Sequence, residues 1–99
     1  MKNLFLIFLV FLVLTLNLFS VENKKIVLQL NWLHQFQFAG YYMAEELGYY
    51  EDIGIDLKIK EYSLNIKVIE EIEKKEADFA IGYPELFIDK INGKDIVAL

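Results

Sequence analysis

The chain has no cysteine among its 99 residues. No disulfide can staple it, and no thiolate is available to a metal site. A single histidine is too little for a histidine/cysteine cluster, so no metal and no cofactor is expected. Arginine is missing as well: all ten basic side chains are lysines, set against fifteen acids for a formal charge of −5. Nucleic-acid binding needs basic patches that displace counterions, and that class is excluded on this balance. Glycine is sparse, with five residues. Gly48 and Gly54 stand too far apart for a phosphate-cradling loop.

Catalytic chemistry is equally thin. Glu45-Glu46 and Glu70-Glu71 are adjacent pairs on helical stretches, so their side chains diverge by about 100° and read as solvated faces. His34 has no partner visible in the sequence and reads as a surface or capping residue. No catalytic residue is assigned.

What is present begins with a basic start, Met-Lys-Asn, followed by Leu4 to Leu14 without a polar residue. The apolar stretch closes at Phe19-Ser20, just before Glu22-Asn23-Lys24-Lys25. This is the pattern of a secretory signal peptide over residues 1–20. Leu4 to Phe19 spans 16 residues, short of the roughly 20 that cross a bilayer. An uncleaved anchor is the alternative, and the missing cysteine excludes a lipoprotein. Residues 21–99 are then the exported part, placed in the periplasm. Losing Lys2 and no acid takes its charge from −5 to −6. A piece of 79 residues (99 less 20) buries only about 60% of its unfolded surface. Asp95 to Leu99 also reads as the start of a buried strand. The expectation is therefore the front portion of a longer protein, or a truncated copy of one.

Along residues 21–99 the pattern alternates. Lys25 to Leu30 suits a buried strand broken by Asn31. Gln35 to Leu47 carries Phe36, Gly40, Met43 and Leu47 at helical spacing, which predicts that face as core, with Gly48 as the left-handed stop. Glu51 to Gly54 reads as a turn, and Ile55 to Tyr62 as a half-buried strand. Ser63-Leu64-Asn65 starts a second helix with Ile66, Ile69 and Ile72 inward. Ala77 to Gly82 is a third strand. Pro84 and Gly93 bracket a third helix with Phe87, Ile88 and Ile91 inward, and Ile96 to Leu99 begins a fourth strand. This β-α-β-α-β-α-β order predicts an α/β fold on a parallel sheet with right-handed crossovers.

In such a sheet, ligands collect beyond the carboxyl ends of the strands. Those ends offer Asn31, Trp32 and Gln35, then Ser63 to Asn65, then Gly82, Tyr83 and Glu85. Residues 29–50 concentrate aromatic rings, of which Phe38 and Tyr41 point off the predicted core stripe and join the candidate site. With an indole, a phenol, carboxamides and a carboxylate but no cation, the set suits an uncharged or cationic flat molecule better than a phosphate.

At Leu28 to Tyr42 (LQLNWLHQFQFAGYY), Glu46 to Tyr50 (ELGYY) and Lys75 to Gly82 (KEADFAIG), the chain resembles the solute-binding proteins for thiamine-pyrimidine precursors, related to the sulfonate and nitrate binders. The resemblance runs from about Lys25 to Leu99. It implies a type 2 periplasmic-binding-protein-like fold, of which this would be a partial first lobe. It also implies Asn31 and Trp32 at the ligand and a second contact after Gly82. Two departures stand out: Tyr62 to Asn65 replaces a glycine-rich loop, and Tyr83 replaces a small hydroxyl residue. The partners implied are a small heterocyclic ligand and either a membrane importer permease or a fused signalling domain. The latter reading makes the lobe the outer sensor of a histidine kinase or diguanylate cyclase. A fungal branch of the family makes the thiamine pyrimidine using a lysine-bound pyridoxal phosphate and a histidine. Aligned without gaps, those positions fall on Gly82 and Leu86, which argues against the synthase.

Overall fold

The computed structural model describes residues 1–16 and 22–99. Helix α1, Lys2–Leu16, carries the N-terminal apolar run. Its described side chains as far as Val13 are exposed. No helix among the described residues is long and apolar enough to cross a membrane. The expected cleavage point after Ser20 lies outside the described residues.

The sheet begins with β1, Lys24–Gln29, whose apolar side chains Ile26 and Leu28 are buried. A short 3-10 turn, Phe36–Phe38, leads into α2, Ala39–Glu46. Gly48 ends α2 at φ 74°, a left-handed angle that a side chain would strain. One helical turn follows as α3, Tyr49–Asp52, and then β2, Ile55–Lys60. Helix α4 is Val68–Glu73, β3 is Phe79–Ala80, and α5 is Leu86–Ile91. The strands form one parallel sheet in the order β2-β1-β3.

The central strand is paired unequally. All six residues of β1 register with β2, from Lys24 opposite Ile55 to Gln29 opposite Lys60. On the other side only Leu28 and Gln29 register with Phe79 and Ala80. Asp78 extends that shorter ladder with its side chain. Its Oδ2 accepts the Val27 N–H at 2.8 Å, while its own N–H donates to the Val27 carbonyl at 2.9 Å. The aspartate of the Ala-Asp-Phe stretch thus holds the edge of the sheet.

The core lies on the α2 face, where Leu28, Leu30 and Phe38 pack together under Tyr41, Tyr42, Leu57 and Ile59. Burial of each such side chain contributes about 1.5–3 kcal/mol. Side chains alternate along a strand, so Lys60 points opposite to Ile59. It meets Glu71 of α4 at 2.8 Å, which places α4 on the other face. Gln29, fully buried, spends its amide on the carbonyls of Leu30, Lys60 and Glu61.

Five expectations are corrected. The inward stripe of the first helix is Phe38, Tyr41 and Tyr42, whereas Phe36 is 91% exposed and Met43 and Leu47 are half exposed. Gln35 is extended at φ −159°, ψ 173°, so the helical run begins only after it and a different phase meets the sheet. The second helix begins at Val68 instead of Ser63. The Ser63 carbonyl accepts the Ile66 N–H to close a tight turn, and Lys67 is still extended. Glu51 and Asp52 are helical, not a turn. Ile96 to Leu99 is not a strand, and Phe87, Ile88 and Ile91 of α5 face outward. Only Leu86 and Asp89 of that helix turn partly inward, because β3 is too short to offer α5 a wider sheet face. Gly93 does stop α5 at φ 90°, as its position predicts.

Candidate functional site

The ladder between β1 and β2 continues past both strands. Leu30 N–H donates to the Lys60 carbonyl at 2.8 Å, and Tyr62 N–H donates to the Trp32 carbonyl at 3.2 Å. Partners differ by 31 positions throughout β1 and β2, and keeping that offset sets Asn31 opposite Tyr62. The consequence is a ring pair. Trp32 and Tyr62 lie nearly parallel, 9° apart in plane with centroids 6.0 Å apart.

This pair forms one wall of a cavity of about 460 Å³ at the carboxyl edge of the sheet, closed by Gly82, Tyr83 and Glu85 from the β3 side. Its size falls within the range of small-molecule sites. Asn31 also lines it. That residue is 8% exposed, and its Oδ1 is buried with no hydrogen-bond partner. A buried carbonyl without a donor costs free energy, which a donor brought to it would recover.

The lower wall is charged. Glu70 takes hydrogen bonds from Lys67 and Lys74, which hold its carboxyl below the usual range against a small opposing effect of desolvation. Lys94 sits between Glu73 at 3.4 Å and Asp89 at 3.5 Å. Partial desolvation works against its charge, but the two carboxylates outweigh that and hold its ammonium above the usual range. Among the described residues Glu85 enters no ion pair. Among the described residues no cluster of histidine and carboxylates could hold a metal ion.

Five of the eight sequence-predicted residues come together here: Asn31, Trp32, Gly82, Tyr83 and Glu85. Gly82 is a close-packing position, since a Cβ there would meet Leu86 Cδ2 at 3.0 Å. The other three do not reach the cavity. Phe38 is core, 3% exposed. Tyr41 is half-buried over the same core and lines a second, apolar cavity of about 790 Å³ beside β3, which adjoins the first at Ile69, Gly82 and Leu86. Tyr50 lines that second cavity too, where burial, Tyr41 and Glu45 push its phenol up. Gln35 is exposed. The physical reason is shared: the chain turns back after Gln35 and carries the following residues down over the sheet, away from its edge.

His34 braces this edge. Its N–H donates to Glu61 Oε1 at 2.6 Å, and its Nδ1 shares a hydrogen bond of 2.7 Å with the Tyr42 hydroxyl. It ties the loop after β1 both to the loop after β2 and to α2. Tyr62, read as the last residue of a strand and the first of the loop that departs from the family, was not among the predicted site residues, nor were Lys67, Glu70, Asp89 and Lys94. For Tyr62 the signal was available: parallel strands leave their sheet side by side, so the first residues beyond both belong to one wall.

A protein-family model described as NMT1/THI5 like matches residues 35–99. The Asn31-Trp32 pair lies just ahead of that span. No curated protein and no solved structure matches the chain.

Proposed function

Since the chain belongs to the NMT1/THI5-like family, whose members have solute-binding or thiamine-related roles, we propose that it captures a small aromatic heterocycle, such as a thiamine pyrimidine precursor, for a membrane importer. The observation that carries this reading is the unpartnered Asn31 Oδ1 beside the Trp32–Tyr62 ring pair in one cavity. An indole face stacks on a planar ring and excludes water from it, while the carboxamide offers both a donor and an acceptor to an aminopyrimidine edge. Export is supported by the basic start and the apolar α1, and it places capture outside the cytoplasm. Binding without catalysis is supported by Gly82 and Leu86 at the positions where the resemblance would put the synthase's lysine and histidine.

The test is calorimetric titration of the protein with an aminopyrimidine, beside thermal melts. Ring stacking on an aromatic side chain is worth about 1–3 kcal/mol, so Trp32→Ala weakens binding roughly 10- to 100-fold with little change in Tm. A Trp32→Ala protein that binds normally but melts early would make the indole a packing residue and sink the assignment. Trp32 is the chain's only tryptophan, so quenching of its emission on titration reports contact at the site itself.

A further inference from the structure

We infer that this cavity also sorts its ligands by charge, accepting a cationic or neutral heterocycle that presents N–H donors and turning away a phosphorylated one. The inference rests on the binding reading above. Two residues of the lining carry acceptors without partners among the described residues. One is Asn31 Oδ1, in a side chain more than nine-tenths buried. The other is the Glu85 carboxylate, which enters no ion pair or hydrogen bond.

Every cation on the wall is already committed. Lys67 stands 3.0 Å from Glu70, and Lys94 is held between Glu73 and Asp89. The lining holds two ammonium groups, Lys67 and Lys94, and three carboxylates, Glu70, Glu85 and Asp89, a balance of −1. A phosphate would have to strip a lysine from its carboxylate and leave that carboxylate unpaired. It would also approach Glu85 as a like charge. An N–H donor or a ring cation meets none of these costs and can satisfy Asn31 Oδ1, the unpartnered buried acceptor among the lining residues.

Three probes of similar shape separate the outcomes: an N-methylated aminopyridinium cation, the neutral aminopyrimidine alcohol, and the phosphate monoester of that alcohol. Titrated into the wild-type protein at low salt, the cation and the alcohol should bind at least about tenfold more tightly than the monoester. Added salt should narrow the gap, because Glu85 is exposed to screening. Glu85→Gln should shrink the gap severalfold at unchanged Tm, and Glu85→Lys should bring the monoester up to or past the alcohol.

Equal binding of all three probes would overturn the charge selection and leave the pyrimidine reading standing. Binding of the cation without the alcohol would do the opposite, keeping the selection and removing the pyrimidine as ligand. Tightest binding by the monoester, or no binding by any probe, would overturn it. A Glu85→Gln protein with an unchanged gap would remove Glu85 from the account and overturn it in this form.

Discussion

The two flanks of β1 are built from the same kind of unit, a strand, a helix and a parallel strand, and they finish differently. On the β2 side six residue pairs register, the ladder runs on into the loops, and a core of Leu28, Leu30 and Phe38 closes beneath α2. On the β3 side two pairs register, an aspartate side chain stands in for a third, and α5 turns Phe87, Ile88 and Ile91 to the outside. Apolar content does not explain the contrast, since Phe79 to Ile81 is as apolar as Ile26 to Leu28. The lesson is that the flank with the closed core carries the longer ladder. The α2 face gives β1 and β2 a shared core, and the flank of β3 opens onto a broad apolar cavity.

The sharpest way to break that contrast is to delete one ring from each category. Phe38→Ala should cost about 3–5 kcal/mol of stability as the loss of a fully packed ring. Phe36→Ala, two residues away, should change stability by no more than about 0.5 kcal/mol. Chemical denaturation of both variants checks this. A large loss at Phe36 would mean that its face is covered and that the helix phase is the one its apolar spacing suggests.

Next in size is the aspartate brace. Asp78→Ala leaves the Val27 N–H without its carboxylate acceptor and should cost about 1–3 kcal/mol. Hydrogen exchange should quicken at Val27 and Phe79, with the β1–β2 amides changing least. Uniform acceleration across the sheet would show the two flanks opening as one unit, which is the finding that would erase the comparison.

The smallest effect belongs to Glu70 on the α4 surface. Its carboxyl is held low by Lys67 and Lys74. The stability it adds is therefore complete above the ordinary carboxylate value and is lost as pH falls through the lowered one. Melts of the wild-type protein and Glu70→Gln across that acidic window should converge at its low end. Curves that stay parallel would take Glu70 out of the acid response.

Much of the fold was legible in the sequence wherever a residue acts through its own backbone or through alternation. Gly48 and Gly93 have the positive φ that their positions after helices predict, and Ile55, Leu57 and Ile59 alternate with charged residues as a half-buried strand should. Helix phase was not legible, because the stripe from Phe36 to Leu47 and the stripe through Phe38, Tyr41 and Tyr42 are both apolar at helical spacing. The extended backbone at Gln35 decides between them, and that is a tertiary fact. The same division runs through the site. Asn31, Trp32, Gly82, Tyr83 and Glu85 come to one cavity because strand ends follow from topology. Phe38 and Tyr41 were misplaced with the helix phase, and Tyr62 was hidden inside a strand reading.

The constant offset of 31 positions between β1 and β2 has a consequence for how this protein can diversify. The wall of the cavity is addressed by counting: the register sets Tyr62 opposite Asn31, beside the indole that follows it. Lengthening or shortening β2 by a single residue would bring Glu61 or Ser63 to that position in place of Tyr62, and would swap the faces of the side chains on one side of the change. Substitutions in the loops tune the ligand gradually, whereas a one-residue indel in the strand would exchange a ring for a carboxylate or a hydroxyl at a stroke. Change of length is here a change of chemistry, so new specificities should arise by point substitution beyond the strand ends while strand length stays fixed.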